Sequence, residues 1–326
     1  MTRPVRAGAG HDGRFREAIG LSAALLPAVR EVAVDALARG VGEPLPTNTH
    51  YLTQFGIGAG TMQRALASLE GGGALRTVSR GHLGRFITEL DVGKTWNIAG
   101  LQPIRLLLPP RGPVEIDVLS AELAEQLSAL GMPHTEHHER GGTRRVRDVQ
   151  EGRADLAVVS AGVAALALSA GPRPPHRTLD GGTYYGESRL VLVHRAGPLP
   201  GGPLRIGIDV ESPDHAALTR AEFPSSDGHE YLPCPFPMVP AAVLRGEIDA
   251  GIWHVTRTII PLDLAGLATA PMRTDAARTV WAERSPAVLL GWSGRPELTA
   301  PLAAMDLSGI AGLQRAALDQ DFDGEV

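Results

Sequence analysis

Few residues of this sequence have the types and spacing that catalysis or metal binding requires. The run "HTEHHE" places His134, Glu136 and His138 on one side of a predicted strand. They could in principle hold a metal, but without a fourth ligand a solvated polar strand face is the simpler interpretation. Cys234, between prolines in "LPCPFP", is interpreted as packing. Because the sequence has no phosphate loop and no nucleophile elbow, we predict no enzymatic activity, no cofactor and no metal.

The composition of the 326 residues fits two or three globular domains. Hydrophobic residues make up 43% of the chain, yet no run of about 18 apolar residues suggests a membrane span. The N-terminus has no apolar core or cleavage motif, so we expect no secretory signal. A single cysteine fits a reducing compartment. We therefore predict a cytoplasmic protein.

Charge is divided unevenly along the chain. Residues 1–95 contain 11 basic and 8 acidic side chains, a net of +3, whereas residues 96–326 contain 20 and 28, a net of −8. A positively charged N-terminal segment followed by a negatively charged remainder suits a small DNA-binding module joined to a domain that does not contact DNA phosphates. Random scatter of charge is the alternative explanation.

The first 95 residues predict three helices. The first spans about 24–39, and the second begins after Thr47 as its N-cap and ends at Gly56. The third should span about 59–70, with one apolar face at the i, i+3, i+4 and i+7 positions. That face consists of Met62, Ala65, Leu66 and Leu69.

A β-hairpin follows in "ALRTVSRGHLGRFITEL", and three helices with a two-stranded wing are the winged-helix layout. The run "LPTNTHYLTQFGIGAGTMQRALASLEGGGAL" resembles the DNA-binding domain of GntR-type transcription regulators. There a Leu-Pro-Ser/Thr cap, a Phe-Gly turn, a Thr-Val/Met start and a Leu-Glu-x-x-Gly exit occur in this order. The wing, "SRGHLG" followed by Phe86 and Ile87, is most similar to the YhfZ-type branch of those regulators.

The turn before the third helix departs from that pattern. The family usually has Ser-Arg-Gly there, whereas this sequence has Gly58, Ala59 and Gly60. The change removes a hydroxyl cap and a basic side chain, both of the kind that contacts phosphate. We therefore expect weaker, less salt-resistant DNA binding with recognition retained. The alternative is that the winged helix binds protein instead of DNA.

We expect the DNA contacts to come from helix N-termini, the third helix and the wing. Glycine amides at the third helix can face a phosphate, and Gln63 and Arg64 can read base edges. Arg80 or His82 could enter the minor groove. The predicted DNA-binding residues are Thr47, Thr49, Gly58, Gly60, Thr61, Gln63, Arg64, Arg80, Gly81 and His82.

After the wing, strands and helices alternate, which predicts an α/β domain. Residues 104–160 fit β-α-β-α-β with a parallel sheet, and a second unit of the same kind runs from "RLVLVHR" to "DAGIWH". Both units pass from helix to strand through Gly-x-x-Asp, ending at Asp155 and Asp249, which we expect to serve the turns. A strand "PAVLLGW" and a helical "LAAMDLSGIAGLQRAALDQDF" close the chain.

This pattern resembles the type 2 periplasmic-binding-protein fold, which also forms the effector domain of LysR-type regulators and the C-terminal domain of YhfZ-type regulators. The resemblance implies two lobes with a cleft between them. Lobe one is predicted at about 100–187 and 286–320, and lobe two at about 196–284. The chain should cross between the lobes near 189–195 and 287–292.

In such a fold the ligand lies in the cleft, at the carboxyl ends of strands and the N-termini of the following helices. Helix amides with Arg111, Ser160 and Ser212 favour a carboxylate or phosphate. Glu187 could hold an amine or hydroxyls. We expect a small polar, anionic metabolite, although the two tyrosines could be hinge packing and the tryptophan core. The predicted ligand-binding residues are Arg111, Gly112, Ser160, Ala161, Gly162, Tyr184, Tyr185, Glu187, Arg189, Ser212, Trp253 and His254.

These resemblances predict an N-terminal winged helix-turn-helix domain, residues 1–95, followed by a two-lobed α/β effector domain, residues 96–326. They imply a ligand-responsive regulator that binds a double-stranded DNA operator as a homodimer and alters that binding when its effector domain takes up a metabolite. The alternatives are an enzyme fused to a winged helix and a cytoplasmic solute-binding or carrier protein.

Overall fold

A computed structural model of the chain describes residues 24–169, 173–256, 258 and 260–323, so that residues 1–23 of the predicted N-terminal domain lie outside it. The chain forms two compact units, each assembled from several segments. The first unit consists of Met1–Ile104, Gln126–Thr135 and Gly294–Met305, and the second of Arg105–Glu125, Glu136–Ser293 and Asp306–Val326.

The first unit begins with three helices and a hairpin, as the sequence predicts. The helices are α1 (Leu26–Arg39), α2 (Asn48–Phe55) and α3 (Ala59–Gly71), and the antiparallel strands are β1 (Leu75–Ser79) and β2 (Arg85–Leu90). The predicted winged-helix layout is confirmed.

The ends of α2 lie at the two residues that the sequence indicates. The Thr47 side chain accepts a hydrogen bond from the backbone N–H of His50 at 3.3 Å, and Gly56 ends the helix with a left-handed φ of 69°. On α3 the predicted apolar face is buried. Its members are Met62, Ala65, Leu66 and Leu69.

A further helix, α4 (Val92–Ala99), follows the wing where the sequence predicts none. Its N-cap is Asp91, whose carboxylate accepts a hydrogen bond from the backbone N–H of Lys94 at 2.9 Å. Gly93 lies so close to the Leu130 carbonyl oxygen that a Cβ would overlap it. This close approach explains why position 93 is a glycine. Because glycine disfavours helix formation, the sequence alone does not indicate a helix here.

Strands and helices alternate through the rest of the chain, as predicted. In chain order they are β3 (Ile104–Leu108), α5 (Val114–Ala129), β4 (His134–His138), α6 (Gly142–Gln150), β5 (Leu156–Ser160), α7 (Ala161–Leu168), β6 (His176–Thr178), β7 (Leu190–Arg195), β8 (Arg205–Ile208), α8 (Pro213–Glu222), β9 (Glu230–Pro233), α9 (Val239–Arg245), β10 (Ala250–His254), β11 (Leu267–Pro271), α10 (Asp275–Arg284), β12 (Ala287–Gly291), α11 (Thr299–Ala304) and α12 (Ile310–Asp323).

Within the first unit, α1 packs against a segment from near the far end of the chain. Its neighbours are α3, α4, the turn Pro296–Leu298 and α11. Beside them the Arg295 guanidinium lies over the Trp96 ring at 4.9 Å. The helices of the winged head therefore share their packing with residues that the sequence assigns to the effector domain. The buried residues of α1 are Ala28, Val29, Val32, Ala33, Ala36 and Leu37.

Two five-stranded sheets form the two lobes, in the order β4-β3-β5-β12-β6 for lobe one and β11-β7-β10-β8-β9 for lobe two. Strand β3 is parallel to β5, and β8 is parallel to β9 and β10. However, β12 is antiparallel to β5, and β7 is antiparallel to β10. The predicted parallel arrangement is confirmed for β3 and β5 within residues 104–160. In the second unit it is wrong for β7, the first strand that the chain adds after passing to lobe two, because this strand is reversed.

The crossings lie elsewhere than predicted. The ranges 189–195 and 287–292 contain β7 and β12, which belong wholly to one sheet each, so the chain passes between the lobes before each strand. The sequence also misses β6, β11 and α10. The predicted closing helix is two helices, because the backbone becomes extended at Met305.

Each lobe joins two neighbouring parallel strands with the same Arg–Asp pair. The Asp155 carboxylate accepts hydrogen bonds from the backbone N–H and the guanidinium of Arg105 at 2.8–3.0 Å. Asp249 accepts the equivalent bonds from Arg205 at 2.7–3.2 Å. Each guanidinium also donates to the carbonyl of the glycine three residues before the aspartate. Both aspartates thus lie at the predicted turns and fix the register of the strand beside them.

Candidate ligand cleft and DNA-binding surface

The start of α3 has no side-chain cap. Its N-cap is Gly58, whose carbonyl oxygen accepts hydrogen bonds from the backbone N–H groups of Thr61 and Met62. Gln63 and Arg64 are exposed, and an Arg64 guanidinium N–H donates to the Thr61 hydroxyl at 3.3 Å. The exposed side of α3 therefore presents one amide, one guanidinium and a helix N-terminus, which are the groups that contact bases and phosphates.

The remaining predicted DNA-binding residues also lie on the surface of this unit. Thr49 on α2 and Gly60 in the first turn of α3 are exposed. In the wing turn, the Arg80 guanidinium lies over an aromatic ring of β2 at 4.4 Å, Gly81 has a φ of 62°, and His82 is exposed. The wing thus carries its basic groups next to its turn.

A cleft of about 690 Å³ lies between the two lobes, within the second unit. The segments that follow β3, β4, β8 and β10 line it together with the first turns of α6 and α8, which is where α/β folds bind ligands. Six of the predicted ligand-binding residues line this cleft, namely Arg111, Tyr184, Tyr185, Ser212, Trp253 and His254.

The lobe-one wall of the cleft is rich in arginine. Arg111 follows β3, Arg140 follows β4, and Arg144 and Arg147 belong to α6; all four are exposed. Helix α6 has Gly141 as its N-cap, with a φ of 93° and no side-chain cap. The N-terminus of α6 and its partial positive charge therefore add to the arginines.

The polar face of β4 is engaged in hydrogen bonds beside this wall. The His138 ring donates through Nδ1 to the Pro109 carbonyl at 2.7 Å and accepts at Nε2 from Arg111 at 3.1 Å. Arg111 also lies 4.0 Å from the Glu136 carboxylate. Among the residues that the structure describes, no group of three His, Cys, Asp or Glu side chains is placed to hold a metal ion.

The lobe-two wall has the opposite charge. Asp209 and Glu211 follow β8, and Asp214 lies in the first turn of α8. The buried Asp209 carboxylate accepts hydrogen bonds from the backbone N–H groups of Glu211 at 3.1 Å and Phe236 at 3.0 Å. The rings of Phe236 and Trp253 add aromatic surface.

Direct polar contacts join the two lobes across the cleft. Arg140 and Asp209 form an ion pair at 2.6 Å. The Ser160 hydroxyl donates a hydrogen bond to Asp214, and a Cβ on Gly162 would overlap the same carboxylate. Ser160 and Gly162 therefore lie where the lobes touch instead of lining the cleft.

A second interlobe contact is centred on Glu115, which is fully buried at the start of α5. Its carboxylate is 2.8 Å from His254 Nε2, accepts from the Gly186 N–H at 3.1 Å and lies 3.8 Å from Arg189 Nε. Burial alone would raise the pKa of Glu115, but the charge and hydrogen bond of His254, with Arg189, hold the pKa below its ordinary value. Arg189 thus serves this contact and does not line the cleft.

The two tyrosines of the crossing are both buried and both hydrogen-bonded. The Tyr184 hydroxyl accepts from the Arg145 guanidinium at 2.7 Å, and the Tyr185 hydroxyl donates to Asp214 at 3.1 Å. Burial raises the pKa of both tyrosines, and for Tyr185 the Asp214 charge adds to the effect. Burial also raises the pKa of Asp214, against the hydrogen bonds from Ser160 and Tyr185. The tyrosines therefore combine hinge packing with a place in the cleft wall.

Three further predicted ligand-binding residues do not line the cleft. Gly112 lies against Thr256, and Ala161 belongs to the start of α7 at the lobe contact. Glu187 is exposed at the corner of a turn that is closed by the Arg189 N–H and followed by Ser188 with a φ of 61°. The turn points Glu187 to solvent, so the carboxylates near the ligand space are those of lobe two.

The sequence-based prediction omits several polar residues of the cleft, among them Arg140, Arg145, Asp209 and Asp214. Arg140 and Asp209 each follow a strand, so the rule that selects Arg111 and Ser212 could have selected them. Arg145 and Asp214 lie inside helices, and only the folded structure shows that their side chains turn inward.

The comparisons with known proteins agree with this architecture. The family model described as the YhfZ C-terminal domain matches residues 91–323, and a helix-turn-helix domain model matches residues 40–87. The chain belongs to the YhfZ family. This match confirms the YhfZ-type resemblance and the presence of a helix-turn-helix domain.

Two relatives span most of the chain. The YhfZ protein of Escherichia coli strain K12 is 28% identical over 243 residues, covering 72% of this chain and 75% of that protein. The crystal structure of YhfZ from Shigella flexneri is 24% identical, with a TM-score of 0.52, and covers 68% of this chain and 92% of that one. The periplasmic aliphatic sulphonate binding protein SsuA from Escherichia coli is 15% identical, with a TM-score of 0.44, covering 67% and 76%.

The predicted fold class is confirmed as a helix-turn-helix region followed by a two-lobed α/β domain. None of the helices among the described residues is long and apolar enough to cross a membrane.

Proposed function

We propose that this chain is a ligand-responsive transcription regulator. In this proposal residues 1–95 bind a DNA operator, residues 96–326 bind a small polar, anionic metabolite, and uptake of the metabolite alters the affinity for the operator. The observation that carries the proposal is the combination, in one chain, of a helix-turn-helix domain and a two-lobed domain with an arginine-rich cleft.

The anionic character of the ligand is supported by the lobe-one wall. Arg111, Arg144, Arg147 and the uncapped N-terminus of α6 all line the cleft, and a carboxylate or phosphate there would gain charge-assisted hydrogen bonds from guanidinium and backbone N–H groups. A neutral sugar or an apolar ligand would not match the positive charge of this wall.

The regulatory step is supported by the contacts between the lobes. A ligand between the lobes meets groups of both, so it changes the balance between open and closed forms by its differential affinity for them. A typical coupling of about 1–3 kcal/mol changes affinity at the other site roughly 5–150-fold. The proposed head is a homodimer on a pseudo-palindromic operator, because one small module buries little DNA surface.

Fluorescence anisotropy tests the proposal. The purified full-length protein is titrated onto labelled DNA from upstream of its own gene and onto scrambled DNA, at two salt concentrations, with and without a small-molecule extract of the source cells. We expect preference for the upstream DNA and a change in affinity with the extract. No preference, there or in a pool of genomic fragments, would refute the DNA-binding function and favour a cytoplasmic solute-binding protein or an enzyme.

A matched pair of variants separates specific from general binding. Arg64→Gln removes a guanidinium from the exposed side of α3, and we expect a loss of operator affinity of roughly 1–3 kcal/mol. Arg220→Gln removes an equally exposed arginine from lobe two and should leave operator affinity unchanged. Equal behaviour of the two variants would mean that α3 does not contact DNA as proposed.

Deletion of residues 1–95 is a poor test of a carrier function in this molecule. It would remove α1 from its contact with the turn Pro296–Leu298 and α11, so any loss of ligand binding could reflect misfolding. Point variants of the head avoid this difficulty, since their side chains are exposed.

A further inference from the structure

The two walls of the cleft carry opposite charges. Lobe one contributes the arginines described above and lobe two contributes Asp209, Glu211 and Asp214. A ligand that carries only negative charge matches one wall and is repelled by the other. The charge of the ligand therefore depends on whether the lobe-two carboxylates keep a positively charged partner when the ligand binds.

A purely anionic ligand that binds Arg140 would break the ion pair between Arg140 and Asp209. They form an ion pair at 2.6 Å, and the Asp209 side chain is only 4% exposed. An anion that takes the Arg140 guanidinium from this pair leaves a buried carboxylate without a cation. Breaking a buried pair in this way is strongly unfavourable, whereas a ligand that also supplies a cation for Asp209 avoids the penalty.

Asp214 adds a second buried carboxylate to the same wall. It lines the cleft and is 3% exposed, and two hydroxyls donate to its Oδ2 atom. Its Oδ1 atom faces Gly162 at the lobe contact and has the Arg284 Nε atom at 3.4 Å. Asp214 therefore already has a cation beside it, and Asp209 is the carboxylate that loses its partner to an anionic ligand.

We propose that the ligand of this cleft is dipolar, with an anionic group bound by Arg140 and the N-terminus of α6 and an ammonium group bound by Asp209, with Asp214 beside it. This inference rests on the proposed function, whose anionic ligand it narrows to zwitterions of the amino acid type. The rings of Phe236 and Trp253 supply the apolar surface for the part of the ligand between or beside the two charged groups.

The cleft size agrees with this class. A volume of about 690 Å³ accommodates a small metabolite together with ordered water. An amino acid, an aminoalkyl sulphonate and an aminoalkyl phosphate share the two charges and differ in the shape of the anion, so all three belong in the test.

The experiment measures binding by the full-length protein without DNA. The probes are the twenty standard amino acids, taurine and phosphoethanolamine, each with its analogue that lacks the amine, screened by thermal shift and followed by calorimetry. We expect at least one zwitterion to bind and its amine-free analogue to bind at least ten-fold more weakly. An analogue that binds as tightly as its zwitterion, or no binding by any zwitterion, would overturn the inference.

Three variants identify the groups responsible. In Asp209→Asn we expect the zwitterion to lose at least ten-fold in affinity while the amine-free anion gains, because Arg140 is released from its partner. In Arg140→Gln both probes should lose affinity. Asp227→Asn, an exposed carboxylate of lobe two, is the control and should match the wild type. Unchanged zwitterion affinity in Asp209→Asn refutes the assigned roles.

The outcome also separates this inference from the proposed function. If amine-free anions bind and change operator affinity, the regulator stands and the dipolar ligand is wrong. If zwitterions bind the cleft but neither they nor the cell extract change operator affinity, the ligand class stands and the regulatory function is wrong.

Discussion

His215 predicts a specific dependence of stability on pH. Its ring is 1% exposed, stacks on Phe236 with centroids 3.9 Å apart, and has no hydrogen-bond partner on either nitrogen. Burial, with the nearby positive charges of His254 and Arg140, lowers the pKa of His215 from 6.5 to about 3. The folded protein therefore keeps this ring neutral under conditions in which the unfolded chain protonates it.

The sign and size of the effect follow from linkage. Because the folded pKa lies below the unfolded value, stability is complete above pH 6.5 and falls as the pH drops through the interval toward 3. A pH of about 5 lies ~1.5 units below the unfolded pKa of His215, so protonation of this residue stabilises the unfolded state by about 2 kcal/mol. Any folded pKa below about 4 gives nearly the same figure, so the result does not depend on the exact shift.

The perturbation is His215→Phe, which keeps a ring on Phe236 and removes the titration. We compare the free energy of unfolding of variant and wild type at about pH 7.5 and about pH 5, where the difference should move by ~2 kcal/mol in favour of the variant. Thermal unfolding of a domain of this size would show it as a relative gain of roughly 4–8 °C. Packing changes act equally at both pH values and cancel. A difference that is the same at both pH values would refute the buried neutral histidine, and His82→Gln is the exposed control.

Three further predictions concern the head and the lobes. Ala59→Arg introduces the basic side chain expected at the start of α3 from the resemblance to GntR-type regulators, so the slope of log K against log salt should become steeper by ~0.9 in anisotropy titrations. Gly93→Ala places a Cβ on the Leu130 carbonyl oxygen and should destabilise the first unit by roughly 1–3 kcal/mol in thermal unfolding. Asp155→Ala should cost roughly 1–3 kcal/mol, because it leaves the Arg105 backbone N–H without its acceptor, and Asp249→Ala should cost less, because the two aspartate side chains are 1% and 29% exposed; chemical denaturation measures both.

Each of these has a matched control. Ala59→Gln has a comparable length without charge and should keep the wild-type salt slope. A Cβ on Gly71 meets nothing within 4 Å, so Gly71→Ala should not destabilise the protein. Equal costs for Asp155→Ala and Asp249→Ala would show that burial does not set the strength of the two Arg–Asp pairs.

Local signals made the head predictable. Thr47 and Gly56 act through contacts within one turn of α2, and the spacing of the α3 apolar face needs no partner to be recognised. Helix α4 was not predicted because its glycine, Gly93, is required by the close approach of the Leu130 carbonyl oxygen, which is distant in the sequence. The direction of β7 was missed for a similar reason, since an apolar run indicates a strand but not which neighbour it joins.

Some cleft residues could likewise be predicted from their position in the sequence, whereas others are brought to the cleft only by the fold. Arg111 and Ser212 follow strands, and the sequence places them correctly at the cleft. Ser160 is the last residue of a strand, but its hydroxyl is directed into the other lobe at Asp214, a contact that no spacing in the sequence indicates. The opposite charges of the two walls became apparent only when residues about 70 positions apart, such as Arg140 and Asp209, were brought together.

The packing of α1 against the turn Pro296–Leu298 and α11 has a consequence for biosynthesis. Non-local contacts form late because closing a long loop must precede them, and a chain emerging from the ribosome lacks its C-terminal segment until the end. The buried face of α1 therefore remains incompletely covered while the intervening residues are translated. A nascent chain halted before residue 296 should expose α1 to protease, and the head should reach its full resistance only after α11 has been synthesised.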